Sequence, residues 1–558
     1  MTTWCSLLEA DSDRDWILHG IRHGFDIIDD DKVNCIQLVE SENNKSCLSS
    51  HVRSIVEEKI LNEIAEGNYV IVEDKPILVS PLSAVPKSNG DIRVVHDLSQ
   101  PEGLSLNDFA SKQPLTYQTI EQAIEFLEPG WYMAKVDLQA AYRSVAINPA
   151  HSAFTGLKWT FRGQAYPTYM IDTKLPFGAR YSPYVFNRIT QAVKRNFQLL
   201  GYQAVVAYLD DFWVAAETQE QCCEALNSLI RLLRGLGFRI NYNKVDGPRR
   251  QLTFLGVQID TVRGSLRLDP KKCDSLVNSL HEFKKRHRAS RKQLERLAGR
   301  LSWAACVVPW GRLHVRRLFD ILATLQRPHH KCRITVDIKQ DLLWWIAFLS
   351  HANHGRLIWD SRPELDVCTD ASSLAGGAFC RGDWIYSEWK CDRPNLSQSH
   401  INIKELGIVC EAAWHWRNEW SDRRINIFSD NKATVSFINR GTSPCGEAVR
   451  LIRELSYLAI KHRFSLNAYY IEGCSNIIAD AISRFYMPNQ IGRFMAAMRA
   501  WYGRLAPPEA YWLPNHMSVK AMSNLCLRIR QWKSSLPVGQ CSNSVLARTL
   551  ARYPVRHV

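Results

Sequence analysis

From about residue 68 to 262, short apolar runs rich in β-formers alternate with stretches of helical spacing. That alternation predicts an α+β domain. One helical pattern precedes it, from about Ser50 to Glu66, and stops at Gly67. Residues 1–50 are polar, with an acidic cluster at Asp29-Asp30-Asp31, and are expected to be loosely structured. From Asp269 to about Leu349 the pattern turns helical and basic, as in Lys284-Lys285-Arg286-His287-Arg288. Such a run also suits a merely solvated helix face. A second α/β pattern spans about 364–487: strands at Leu365–Thr369, Gly376–Cys380 and Trp384–Trp389, a long helix over Ile403–Trp420, and a strand at Ile425–Ser429. Helices at Lys432–Asn439 and Glu447–Lys461 follow, and the tail, 488–558, is basic and proline-interrupted, with no assignable element.

The expected organisation is therefore an N-terminal segment 1–50, an α+β domain 51–262, a helical region 263–363, an α/β domain 364–487 and a basic tail 488–558. A chain of 558 residues needs several cores, since one core rarely grows past ~250–300 residues. The net charge of +14 favours a polyanionic partner and says nothing about fold. Sixteen scattered cysteines contain no C-x-x-C pair, which argues against a zinc knuckle and favours a reducing compartment. The N-terminus lacks a basic-then-apolar signal pattern, and no apolar run approaches ~18 residues. An intracellular protein, in cytoplasm or nucleus, is expected.

The chemistry concentrates first at Val205-Val206-Ala207-Tyr208-Leu209-Asp210-Asp211-Phe212-Trp213-Val214. Two acids between β-rich runs read as a hairpin with carboxylates at its tip. Adjacent like charges repel, and their natural use is to hold a divalent cation, although a plain polar turn has the same composition. Asp137, in the strand-like Ala134-Lys135-Val136-Asp137-Leu138, fits the same site. Three carboxylates on neighbouring strands can hold two Mg²⁺ ions ~3.5–4 Å apart for in-line phosphoryl transfer.

Read in order, Lys135–Tyr142, Leu175-Pro176-Phe177-Gly178-Ala179-Arg180-Tyr181-Ser182-Pro183, Tyr208-Leu209-Asp210-Asp211 and Phe254-Leu255-Gly256 resemble a reverse transcriptase of the retroelement kind. The resemblance implies a right-hand polymerase with fingers, palm and a helical thumb/connection. In it Asp137, Asp210 and Asp211 carry catalysis and bind Mg²⁺, with Mn²⁺ as the alternative. Tyr142 takes the place of the gate against a ribose 2′-hydroxyl, or else is a core tyrosine. Phe177 and Gly178 fall at the nucleotide and template, Gly178 permitting close backbone approach. Val85-Pro86-Lys87-Ser88-Asn89-Gly90-Asp91-Ile92-Arg93 reads as a hairpin whose Lys87 and Arg93 bind the triphosphate in the family; alone, they are ordinary surface cations. Lys244, in Asn241-Tyr242-Asn243-Lys244, stands where the family often has a lysine that protonates pyrophosphate.

The second α/β region resembles ribonuclease H. Its candidate catalytic and metal-binding acids are Asp370 in Thr369-Asp370-Ala371-Ser372, Glu405, Asp430 and Asp480, again for two ions. Glu405 also lies three residues after Asn402, the spacing of a capping box, and Asp430 and Asp480 also suit helix N-caps. A polymerase followed by ribonuclease H implies an RNA template, a DNA primer, dNTPs and an RNA–DNA hybrid as partners. Finer resemblance, in Ser80-Pro81-Leu82, Asp97–Gly103, Ser105–Asp108, Leu301–Arg312 and Ser399–Leu406, points to the DIRS-like elements. Phe177 departs from the Met expected there and is closer to long-terminal-repeat elements. The competing readings are a decayed or domesticated element protein that binds nucleic acid without catalysis, and an RNA-templated RNA polymerase, which Tyr142 and the nuclease-like region disfavour.

Overall fold

In a computed structural model, residues 2–33, 38–86, 91–352, 355–487 and 489–502 are described. The chain divides into two compact units, Met1–Asp269 and Pro270–Val558.

The centre of the first unit is a four-stranded antiparallel sheet in the order Asp246–Arg249, Tyr132–Asp137, Asp211–Ala216, Val205–Tyr208. Side chains alternate across it. Ala134, Val136, Val205, Ala207, Phe212 and Val214 enter one core with residues of the helices Ser182–Leu199 and Gln219–Gly235. Asp137 and Asp211 fall on the opposite face by the same period of two. A second, mixed sheet runs Val39–Glu40, Leu78–Val79, Gly156–Trp159, Thr168–Asp172, Tyr69–Val72. The helix Ser50–Ala65 precedes it, and Gly67 leaves that helix at φ +70°. The hairpin Leu82–Pro86/Ile92–His96 pairs Val85 with Arg93. Lys87 lies outside the described residues.

The N-terminal segment differs from the expectation of a loose structure. Helices Thr2–Leu7 and Arg14–His23 bury Trp4, Ile17 and Leu18 in the core of this unit. The polar composition misleads because the acids are used in pairs. Arg195 donates to Asp11 at 2.6 Å and to Asp13 at 2.8 Å, and Arg188 donates to Asp13 at 2.7 Å. Of the acidic cluster, Asp29 accepts from the Tyr181 hydroxyl at 2.6 Å and from the Ser111 amide at 2.7 Å.

The second unit begins with helices Pro270–Lys285, Arg291–Ala304, Arg316–Thr324 and Val336–Ala352. Ser290 and Gln293 close a capping box at the second of these. A five-stranded sheet follows in the order Asp383–Glu388, Ala375–Cys380, Glu364–Ala371, Arg424–Ser429, Ser465–Tyr470. Its first two pairings are antiparallel and its last two parallel. Helices Ile401–His415 and Gly446–His462 supply the core against it, through Leu406, Val409, Leu451 and Leu455 among others. The long helix thus ends five residues before the expected Trp420. The edge strand Ser465–Tyr470, with Ala468 its one buried residue, is not foreseeable from alternation. The unassigned tail contains a helix, Gln490–Tyr502, whose Ile491, Phe494, Met495 and Met498 pack with Trp384, Ile482 and Phe485.

Candidate active sites

In the first unit, Asp137 ends one central strand and lies directly across the ladder from Asp211, the first residue of the next. Tyr208 and Asp211 pair, so Leu209-Asp210 is a two-residue turn, with Leu209 at φ +52°. A leucine in the left-handed region is strained by order ~1 kcal/mol or more, and such strain gathers where geometry serves chemistry. The turn presents Asp210 beside the other two acids, and the Leu138 amide donates to its carbonyl at 3.0 Å. Acids directly opposite on a ladder destabilise it unless a cation or proton intervenes. Burial, then Asp210 and Asp137, push Asp211 up to about 6. Burial, with Asp137 adding to it, also raises Asp210. The arrangement is a carboxylate set short of positive charge.

One ammonium answers part of that shortage. Lys244 donates to Asp137 Oδ2 at 3.0 Å, which raises the pKa of Lys244. Asn241 donates to Asp137 Oδ1 at 2.9 Å. Both oxygens of Asp137 are thereby oriented. Asn241 was legible only as a neighbour of Lys244, because its role depends on the turn Asn241–Lys244 folding back onto the strand end.

Tyr142 is half-buried against this core, stacked on Phe177 at 5.1 Å between centroids and tilted against Phe186 at 5.3 Å. Burial raises its hydroxyl pKa, with Tyr117 and Asp210 adding to it. Phe177 stays 53% exposed. Gly178 adopts φ +102°, a conformation that strains any side chain, and a Cβ there would meet the His96 carbonyl oxygen at a tight 3.3 Å. Arg93 is exposed on its hairpin arm. The sequence reading did not single out Arg143. It lies 5.7 Å from the Phe177 ring and is bound to Asp172 at 2.6 Å and to Glu63 at 3.1 Å.

In the second unit, Asp370 and Asp430 fall at the carboxyl ends of neighbouring parallel strands, Asp430 just after its strand. Crevices outside such strand ends are where open α/β sheets take their ligands. Glu405 comes from the first turns of Ile401–His415, and one oxygen from each of Asp370, Glu405 and Asp430 lies within 4.8 Å of the others. Glu405 is not a capping-box residue. The N-cap is His400, whose ring accepts from the Asn402 amide, while Glu405 Oε1 accepts from the Ala371 amide at 3.1 Å. Its Oε2 is buried with no hydrogen-bond partner among the described residues. Burial, then Asp370, push Glu405 well above the usual carboxylate range. Burial likewise carries Asp370 up to about 7, against a hydrogen bond from Ser483 that pulls the other way.

Asp480 lies in the helix Ile477–Ser483, inside its first turn rather than at its N-cap, which is Asn476. This helix sits close to the sheet because Gly377 is the ladder partner of Asp370. A Cβ at Gly377 meets the Ala479 carbonyl oxygen and Ile482 Cβ, each at 2.7 Å. The Asp480 carboxylate is held by Arg484 at 2.9 Å and by Arg493 at 2.5 Å. A buried, partnerless carboxylate oxygen amid other acids suits a hard divalent cation, so the residues present fit one.

Residues 85–259 match the family model described as reverse transcriptase (RNA-dependent DNA polymerase). This segment is similar to reverse transcriptases. Over 444 residues the chain is 23% identical to the Transposon Tf2-3 polyprotein of Schizosaccharomyces pombe (strain 972 / ATCC 24843), covering 76% of this chain and 30% of the polyprotein. The Tf2-4 polyprotein of the same organism matches equally. The chain thus spans about a third of the length of these curated relatives. Among solved structures, the foamy viral protease-reverse transcriptase in complex with RNA/DNA hybrid aligns at TM-score 0.49 and 18% identity, over 79% of this chain and 56% of that one. The dsDNA complex aligns at 0.48 and 17%, over 85% and 97%. Among the described residues no helix is long and apolar enough to cross a membrane.

Proposed function

We propose that the chain is the RNA-directed DNA polymerase of a retroelement, with a ribonuclease H in its second unit. The observation that carries the reading is the meeting of Asp137, Asp210 and Asp211 at one hairpin inside the segment that matches reverse transcriptases. Asp137 and Asp210 offer direct oxygen ligands and Asp211 adds charge. Divalent cations, Mg²⁺ or Mn²⁺, supply the chemistry when bound: one lowers the pKa of a primer 3′-hydroxyl, the other offsets charge on the departing pyrophosphate.

The protein's own groups do the rest. The Tyr142 ring, stacked on Phe177 and tilted against Phe186, would act as the gate against a ribose 2′-hydroxyl and so favour dNTPs, a reading supported by its place in the sequence motif. Arg93, on its hairpin arm, and Lys87, by the sequence resemblance, would bind the triphosphate. Lys244, its pKa raised by Asp137, would be the group that gives a proton to pyrophosphate, as the sequence resemblance suggests.

In the second unit Asp370, Glu405 and Asp430, with Asp480 beside them, would hold the cations that activate water against the RNA strand of an RNA–DNA hybrid. Ser483 and the Ala371 amide keep Asp370 and Glu405 in place. The partners follow as RNA template, DNA primer, dNTPs and hybrid. Among retroelements we place the chain near the DIRS-like group, on the sequence runs alone. Primer extension on an RNA template with dNTPs and Mg²⁺ tests both activities in one reaction. Extension with concurrent template cleavage is expected; neither product, with hybrid still bound, would mean a nucleic-acid-binding protein without catalysis.

A further inference from the structure

The fourth acid of the nuclease-like cluster has both carboxylate oxygens engaged, and this separates it from the other three. Arg484 takes Asp480 Oδ1 and Arg493 takes Oδ2. The two arginines differ in kind. Arg484 caps the end of the same helix, four residues on, and its charge also reaches Asp370, Glu405 and Asp430, holding down carboxylates that burial raises. Arg493 arrives from Gln490–Tyr502, a helix beyond the α/β pattern, anchored by its neighbours Phe494 and Met495 in an aromatic cluster with Trp384 and Phe485.

We infer that Arg493 is a positioning residue that holds Asp480 off the metal site and so sets how much divalent cation the nuclease-like site needs. The inference rests on the ribonuclease reading of that site. The Arg493 guanidinium competes with a cation for the charge and lone pairs of Asp480 Oδ2, so ligation through that oxygen strengthens when the Arg493 contact opens. The helix carrying Arg493 is fixed by buried apolar residues, while the Arg493 side chain is 42% exposed. The side chain can therefore swing out without undocking the helix. Competition from a half-exposed ion pair is modest, and removing it is expected to lower the cation concentration for half-saturation roughly two- to fivefold.

The test uses the full chain carrying Asp210→Asn, to silence the polymerase site, and reads Mn²⁺ binding directly from the loss of the free-ion electron paramagnetic resonance signal. Arg493→Ala is expected to shift half-saturation down by that factor, and Arg493→Lys, which keeps a cation there, to stay near the parent. The shift is expected to vanish when Asp480→Asn is added, a result that general loosening of the helix would not produce. Equal Mn²⁺ half-saturation in parent and Arg493→Ala, with Asp370→Asn abolishing the binding, overturns the inference and leaves the ribonuclease reading standing. Binding that survives Asp370→Asn unchanged overturns that reading, and the inference with it.

Discussion

The two acid clusters solve one electrostatic problem in different ways. In the first unit the acids come from a hairpin turn and the strand beside it, so backbone pairing alone brings Asp137 within reach of Asp210 and Asp211. One lysine on a neighbouring turn offsets part of their charge. In the second unit four acids come from four elements, Glu405 and Asp370 are 3% and 2% exposed, and the arginines sit on the fourth acid alone. The first site is thus held by backbone strand pairing and one tight turn. The nuclease-like site is held by packing, and burial of its acids is the cost of convergence. Burial raises carboxylates at both sites, so removing a charge relieves the fold at either; at the hairpin a single ammonium already offsets part of that charge.

The largest effect that would sharpen this contrast is a separation of activities. Asp210→Asn or Asp211→Asn is expected to lower DNA synthesis by at least ~10²–10³-fold while template cleavage continues. Equal loss of both activities would break the independence of the two sites. Next, Glu405→Gln keeps an acceptor for the Ala371 amide yet removes the charge. Cleavage of the RNA strand is expected to fall ~10²-fold, with polymerisation intact, in a hybrid-cleavage assay. Retained cleavage would make Glu405 a structural residue.

A smaller change is expected at the gate. Tyr142→Ala removes the ring stacked on Phe177, and dNTP over rNTP preference in single-nucleotide extension should drop ~10–100-fold. Unchanged discrimination would return Tyr142 to the core. The smallest effect is on stability against pH. The folded pKa of Asp370, about 7, lies above its ordinary 3.8, so the folded state keeps a proton the unfolded chain has lost. Stability of the metal-free protein therefore falls as pH rises from about 4 to about 7. Asp370→Asn should reduce that slope, with Glu405 sustaining the remainder, and raise the melting temperature at pH 8 by several degrees, at ~2–4 °C per kcal/mol. A slope unchanged in the variant would assign it to other groups.

Residue order carried a good deal of this. Tyr208-Leu209-Asp210-Asp211 between β-formers specifies a tight hairpin because pairing and turn lie within ten residues, and the period of two puts Asp137 and Asp211 on one face. The candidate acids of the second unit were also visible one by one, and for Glu405, Asp430 and Asp480 a capping alternative remained that sequence could not remove. Only tertiary structure decided between them. Glu405 turns to the Ala371 amide rather than to its own helix terminus because the strand end packs there, and Gly377 lets the Asp480 helix come down beside Asp370. Likewise the N-terminal acids read as a solvated stretch until Arg188 and Arg195, more than 170 positions away, are folded against them. The capture of Asp480 by Arg493 is of the same kind: it joins a helix of no recognisable pattern to the site through a buried aromatic cluster. Short-range pairing is written in neighbouring residues, whereas charge compensation is settled by whichever side chains the core brings near, and the core is a property of the whole chain.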